Sequence, residues 1–285
     1  MPRYPGTEVL GYSGTAVKGP HMLIIAERIN ATRKRIGEAF ARRDTAFIQD
    51  EARRQAEAGA DYIDCNAALS PDSEVDLMAW AVETIREVTA KPLSIDTANP
   101  KAAREGLKRL PSGSAFLNSI SGEKSRLKAM LPLAAEFQTR LVALAMDDSG
   151  MPETLAARWK AVRKILAATD KAGIPRGSVF IDPLVRPVAT NPEQAARCLE
   201  MIREVRKSTE GAGTIVGLSN VSYGLPVRRH LNRTFLAMAA AAGLGAVILD
   251  PLEPDTMATA LASACLTGED GYCLNYISAH RAGRL

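Results

Sequence analysis

Short apolar runs rich in β-branched residues recur along the chain at 22–26 (MLIIA), 61–65 (DYIDC), 92–96 (PLSID), 115–119 (AFLNS), 140–146 (RLVALAM), 178–182 (SVFID), 214–219 (TIVGLS) and 246–250 (AVILD). Runs this short and this apolar read as strands buried on both faces. Between them, the segments 46–59, 74–88, 124–137, 153–173 and 192–208 place apolar residues three and four positions apart, the spacing of an amphipathic helix. Glycines in EAGAD (57–61) and DKAGI (170–174) stand where a helix ends in the left-handed conformation. The apolar stretch AMAAAAGLGAVIL (237–249) is broken by glycines and reads as a helix followed by a strand. Eight strands, each with a helix after it, predict an α/β fold: a single-domain parallel (β/α)8 TIM barrel. A doubly wound open sheet is the alternative. Its dinucleotide-binding form wants GxGxxG after the first strand, where this chain has AERINA (26–31). No Pro/Gly/Ser-rich linker divides the chain, so residues 22–285 are expected to form the barrel and residues 1–21 an N-terminal extension closing its floor.

Composition narrows the function classes. Of 285 residues, 46% are hydrophobic and 24% charged, the balance of an ordinary globular chain with a core that needs no staple. The net charge of +4 carries no long basic block, which speaks against a nucleic-acid binder and leaves room for an acidic ligand or partner. Four scattered cysteines (Cys65, Cys198, Cys265, Cys273) without a CxxC pair suit a reducing compartment. The first twenty residues lack the apolar stretch of a secretory signal, and no window is apolar enough to span a membrane. A cytoplasmic location is expected.

Barrel enzymes place their chemistry at the carboxyl ends of the strands. Those ends read Glu27-Arg28-Ile29-Asn30, Asp64-Cys65-Asn66, Asp96-Thr97-Ala98-Asn99, Asn118-Ser119, Asp147-Asp148, Asp182-Pro183, Ser219-Asn220 and Asp250-Pro251. Each offers a carboxylate or a carboxamide. Taken singly, such residues cap helices and turns. Taken together, they make a polar ring around one cavity. No bound metal is expected, because barrel metal sites mix imidazole with carboxylate and none of His21, His230 or His280 ends a predicted strand. A barrel hydrolase using the aspartates on a metal stays an alternative. No GxSxG, strand-end lysine or phosphate-cradling glycine loop is present. What remains is recognition by hydrogen bonds, and a flat heterocycle with donors and acceptors on its edge suits a ring of Asp and Asn. A pterin fits best.

The segments MLIIAERIN (22–30), DYIDCNAA (61–68), LSIDTANP (93–100), FLNSISGEK (116–124), FIDPL (180–184) and GLSNVSYGLPVRRHLNRTF (217–235) resemble, in order, the pterin-binding methyltransferases. More narrowly they are similar to the methyltetrahydrofolate:corrinoid-protein methyltransferases, with the folate module of cobalamin-dependent methionine synthase a near relative. The resemblance implies that Asp96, Asn118, Asp182 and Asn220 hold the pterin ring, with Glu27, Arg28, Asn30, Asp64, Asn66, Gly217 and Ser219 at or near the pocket. Ala26 departs from the glycine that relatives often carry. Dihydropteroate synthase shares fold and pocket and is the alternative. It would carry a TPDSFSDGG-like loop, an SRK segment after the seventh strand and a late Arg-x-His, where this chain has ERINATRKR, SNVSYG and SAHRAGRL.

The activity implied is methyl transfer between N5 of tetrahydrofolate and the cobalt of a corrinoid. The chain lacks an Asp-x-His-x-x-Gly cobalamin signature, so the corrinoid is expected on a partner protein. The resemblance assigns Asn220 the catalytic role of stabilising N5. It also implies a homodimer. A pterin-binding subunit without catalysis is the alternative from another class. The basic segments TRKR (32–35) and VRRHLNR (227–233) have two readings: docking of a folate tail or an acidic partner through Arg228, Arg229 and Arg233, or solvated helix starts. Cys65 is expected to be a small buried side chain, and Met146 a lining residue.

Overall fold

In a strand, successive side chains point to opposite faces, so a sheet closed on itself has one set of alternate residues inside and the other set under its helices. The computed structural model describes residues 22–285, and the expectation for residues 1–21 lies outside them. Eight strands follow one another: β1 (Leu23–Asn30), β2 (Tyr62–Asn66), β3 (Leu93–Asp96), β4 (Phe116–Gly122), β5 (Arg140–Asp147), β6 (Val179–Asp182), β7 (Gly213–Gly217) and β8 (Ala246–Leu249). Each pairs in parallel with the next, and β8 pairs with β1. That last pairing closes a (β/α)8 barrel, as the alternation predicts, and excludes the open sheet.

The helices are α1 (Lys34–Arg42), α2 (Thr45–Glu57), α3 (Glu74–Arg86), α4 (Pro100–Leu107), α5 (Lys124–Glu136), α6 (Leu155–Lys171), α7 (Gln194–Ser208), α8 (Arg228–Ala242), α9 (Pro254–Leu266) and α10 (Leu274–Arg281). The five amphipathic segments of the sequence become α2, α3, α5, α6 and α7. Gly59 and Gly173 take φ of +100° and +71°, as the helix-end reading requires. Short α1 and α4 bury only Ile36, Ala39 and Phe40, and Ala102, Ala103 and Leu107, too few turns of apolar spacing to stand out, and a glycine joins each packing face. A Cβ on Gly37 would lie 2.6 Å from the Ala31 carbonyl, and one on Gly106 would lie 3.1 Å from Met78. Local chemistry starts α4 instead: Asn99 accepts from the Lys101 amide at 3.0 Å, and Pro100 fills the first turn.

Two strands run past their predicted ends. β1 continues through Glu27–Asn30, with a register shift against β2 between Ala26 and Ile29. β4 continues to Gly122, with shifts against β5 on either side of Ile120–Ser121. An extra residue on one side of a pair bends the strand and re-aims side chains, so polar residues enter these strands without breaking them.

The interior is filled by Leu23, Ile25, Tyr62, Phe116, Val142, Leu144, Phe180, Ile215, Ala246 and Ile248. Tyr62, Phe116 and Phe180 meet edge to face at centroid distances of 4.8 and 5.1 Å, and Arg140 lies over the first two rings. The opposite faces of the strands carry Ile63, Cys65, Ile95 and Leu117 into the layer beneath the helices. The barrel therefore has an apolar plug at its amino-terminal end and a separate core outside it.

At Gly122 β5 comes close to β4: a Cβ there would sit 2.8 Å from the Met146 carbonyl and 3.2 Å from Asp147 Cβ. Backbone must move to admit it. Gly122→Ala is expected to cost about 1–3 kcal/mol in chemical denaturation, and an unchanged midpoint would contradict this packing.

Candidate active site at the mouth of the barrel

The interior parity that makes the apolar plug continues upward into polar residues. Two positions beyond Tyr62 on β2 stands Asp64, and two beyond that Asn66. Asp96 follows Ser94 on β3, Asn118 follows Phe116 on β4, and Asp182 follows Phe180 on β6. Register sets them side by side: Asp96 pairs with Asn118, and Asn30 with Asn66. Hydrogen bonds tie the neighbours together. Asn66 Nδ2 donates to Asp96 Oδ2 at 2.9 Å, and Asn118 Nδ2 donates to Asp64 Oδ1 at 3.3 Å. On the other side of the mouth Ser219 Oγ donates to Glu27 Oε2 at 3.5 Å.

The turn-capping and the polar-ring readings of these residues are both correct, atom by atom. One oxygen of each of several strand-end residues accepts the amide two residues on: Asn66 from Ala68 at 3.0 Å, Asp182 from Leu184 at 2.7 Å and Asp250 from Leu252 at 3.0 Å. Asn30 likewise accepts from the Thr32 amide and hydroxyl. Such a turn costs one lone-pair site and fixes the side chain. What the turn leaves over points elsewhere. Among the described residues, Asp182 Oδ2, Asp96 Oδ1 and Asn118 Oδ1 have no protein hydrogen-bond partner, so the mouth presents a set of acceptors.

Asp147 and Asp148 are in the strand-end series but not in the ring. Met146 takes the interior parity, so Asp147 faces outward and accepts from the Ser149 amide at 2.9 Å. Asp148 caps α5 through the Lys124 amide at 3.0 Å and pairs with Lys164 at 2.7 Å. Cys65 lies outside the barrel wall, fully buried, with its thiol pushed up by burial.

Asn220 sits on a 3-10 turn over Leu218–Ser222 directly after β7, and it is exposed. Gly217 gives its side chain room: a Cβ there would stand 3.0 Å from Asn220 Nδ2. Arg228 braces this turn, donating to the Ser219 carbonyl at 2.5 Å and to Ser222 Oγ at 3.0 Å, while Ser222 Oγ donates to Asn232 Oδ1 at 2.6 Å. Arg233 pairs with Asp255 at 2.5 Å. The basic segment 227–233 thus opens α8, and two of its three arginines bind inside the chain. A cleft of about 190 Å³ beside them is lined by Glu27, Arg33, Ser219, Arg228, Arg229 and Asp250.

Sequence reasoning missed the support beneath β1. Arg28 Nε donates to Glu51 at 2.7 Å and Nη1 to Asp250 at 2.8 Å, and its amide donates to Gln55 Oε1 at 3.0 Å. Asp250 is therefore engaged by Arg28. The available signal was on α2, where Glu51 and Gln55 stand four apart on the buried face with Ile48 and Ala52. Polar residues at core spacing need partners.

Burial raises the carboxylates of the mouth. Asp64 is held well above the usual range by burial and by the charge of Asp96. Asp96 is raised by burial against the opposing hydrogen bond from Asn66. Burial pushes Asp182 up to about 6, and it raises Glu27 although Arg33 pairs with it at 2.9 Å. Such a cluster of perturbed acids at a barrel mouth marks a candidate functional site. Among the described residues, no group of three or more His, Cys, Asp or Glu side chains is arranged to hold a metal ion.

Residues 26–250 match the sequence pattern of the pterin binding enzyme family, a span covering every strand end described above. The chain belongs to the pterin-binding enzymes. It is 30% identical over 266 residues to a methylcorrinoid:tetrahydrofolate methyltransferase of Eubacterium limosum, covering 93% of this chain and 98% of that one. It is 32% identical over 242 residues to a methionine synthase of Mycobacterium tuberculosis, where the match covers 80% of this chain and only 20% of the relative's length. A dihydropteroate synthase of Coxiella burnetii solved with pteroic acid superposes with a TM-score of 0.69 at 16% identity, over 88% of this chain and 94% of that one. At that identity the likeness shows a shared fold.

Within this mouth, ionising Asp64 opposes folding, because its folded-state value lies above its unfolded one. Its favourable contribution is full at acid pH and is lost as pH rises above the ordinary carboxylate range. Asp64→Asn removes that loss. Its thermal unfolding should show a gain on the order of 1 kcal/mol at pH 8 that shrinks towards pH 4; equal or lower stability at pH 8 would contradict the assigned charge state.

Proposed function

We propose that this chain moves a methyl group between N5 of tetrahydrofolate and the cobalt of a corrinoid carried by another protein. The observation that carries the reading is the near end-to-end match to a methylcorrinoid:tetrahydrofolate methyltransferase, joined to a mouth whose unengaged atoms are acceptors. A reduced pterin edge is rich in N–H donors, so the two are complementary.

In this reading Asp96 Oδ1 and Asp182 Oδ2 accept from the 2-amino and ring N–H groups of the pterin. Asn118, with its nitrogen engaged by Asp64, offers its oxygen to a further ring N–H. Glu27, Asn30, Asp64, Asn66, Gly217 and Ser219 serve as the surrounding wall, orienting their neighbours more than touching the ring. Asn220 meets N5. When N5 receives the methyl group its proton passes to water at the open rim, and when it releases the methyl group it regains one from water. A carboxamide can accept from N5–H or donate to the N5 lone pair, so it serves both directions without titrating. The corrinoid supplies the other methyl-carrying atom, and the exposed position of Asn220 at the rim leaves the N5 side open to it. We further assign the protein to the cytoplasm, in keeping with its four free thiols, and infer a homodimer from the family resemblance.

Mixing the protein with tetrahydrofolate and methylcobalamin tests the reading. Demethylation of the cobalamin, seen in its visible spectrum, with formation of methyltetrahydrofolate is expected; folate binding without transfer would leave only a pterin-binding subunit. Asn220→Ala is expected to slow transfer by about 10²–10³-fold with a smaller loss of folate affinity. An unchanged rate would remove Asn220 from the chemistry.

A further inference from the structure

Arg158 is the largest fully buried side chain of the described residues, with no exposed surface at all. It rises from α6 into the space between β6 and α7. No carboxylate among the described residues lies within ion-pair distance of it. Its Nη1 donates to the Pro183 carbonyl at 2.8 Å and its Nη2 to Gln194 Oε1 at 3.2 Å, while Nε and the Gln194 amide nitrogen have no partner. Taking a guanidinium out of water for two neutral acceptors is expensive, and an apolar residue of similar size would pack there at less cost. The arrangement has to serve something other than packing.

Pro183 is the residue after Asp182, and the Asp182 carboxylate accepts the Leu184 amide across the same turn. Arg158 thus grips from behind the one turn that orients Asp182. We propose that Arg158 is a positioning residue for Asp182, fixing its turn through Pro183 and supplying the buried positive charge against which its carboxylate works. The proposal deepens the pterin-binding reading and rests on it for the identity of the ligand.

The surroundings leave Arg158 as the cation that acts on Asp182. Burial raises the acid, the Leu184 amide opposes this, and the charge of Arg158 opposes it further. From α7 the buried Cys198 thiol faces both groups. Arg186, on the loop after β6, and Arg197, on α7, also face Arg158; both are partly exposed and engage Glu153 and Glu193. An acid poised near 6 loses its acceptor function on modest acidification. The Leu184 amide and, behind it, the charge of Arg158 both favour its ionised form.

The test measures tetrahydrofolate binding by calorimetry from pH 5 to 8.5, beside the infrared carboxylate band of ligand-free Asp182 isolated by difference with Asp182→Asn. In the parent, affinity should fall below about pH 6. In Arg158→Met both the infrared midpoint and the acid limb of binding should move up by about one pH unit, giving roughly fivefold weaker binding at pH 6 that recovers in part at pH 8.5. Gln194→Met, which disturbs the same packing without removing charge, should leave the midpoint in place. A lower melting temperature with an unmoved Asp182 midpoint would reduce Arg158 to a structural role and overturn the proposal. Should Arg158→Met fail to fold, Arg158→Lys carries the test: it keeps the charge and loses the two-armed grip, so the midpoint must hold while binding weakens at every pH, and a raised midpoint would overturn it. A parent that binds no folate would end the pterin reading, while the infrared titration would still judge Arg158.

Discussion

Two-residue alternation on a closed parallel sheet organises this molecule from floor to rim. The side chains that fill the interior as Tyr62, Phe116 and Phe180 are followed, on the same face of the same strands, by Asp64, Asn118 and Asp182. Closure fixes the parity, because a strand slipped by one residue would carry its carboxylate into the layer under the helices and an isoleucine into the cavity. The apolar plug therefore secures the placement of the polar ring. The energy of burying aromatic rings at one end holds charged groups together at the other, where their own interactions oppose it.

That opposition is visible in how the mouth is built. The charge of Asp96 disfavours ionisation of Asp64, and each acid is met by a carboxamide, Asp96 by Asn66 of the adjoining β2 and Asp64 by Asn118 of β4, one strand further round. Local turns occupy one oxygen of Asp182 and one of Asp250 and thereby aim the other. The positive groups are arranged unequally. Arg28 and Arg33 sit beside Asp250 and Glu27 on the β1 side, while among the described residues the cation acting on Asp182 is the buried guanidinium of Arg158. A ligand that brings several N–H donors satisfies acceptors the fold has left open, and it relieves the repulsion among them. Recognition and the cost of the empty site are two sides of one arrangement.

Much of this was legible in the sequence. Strand-length apolar runs and helical spacing identified the barrel, and the regular arrival of Asp or Asn at strand ends identified the rim. What escaped was whatever depends on geometry that a linear pattern does not encode. The shifts in β1 and β4 let polar Glu27 and Arg28 lie within a strand, so those strands appeared to end early. Short α1 and α4 span about two turns each, so their apolar stripes of three residues and a glycine were too brief to stand out. Asp147 has the same composition cue as Asp96 and the opposite parity, and counting alternate residues from the aromatic plug would have separated them. Arg158 could not be distinguished from the solvated arginines of its helix, since only the fold reveals that it is enclosed.

The account stands on a reduced pterin lying edge-on against the interior face of β3, β4 and β6. A crystal structure of the protein with tetrahydrofolate measures this directly. The account predicts the 2-amino and ring N–H groups within hydrogen-bond distance of Asp96, Asn118 and Asp182, with N5 turned towards Asn220. A folate seated on the outer helices, or in the mouth with its pterin edge turned away from those three residues, would contradict it.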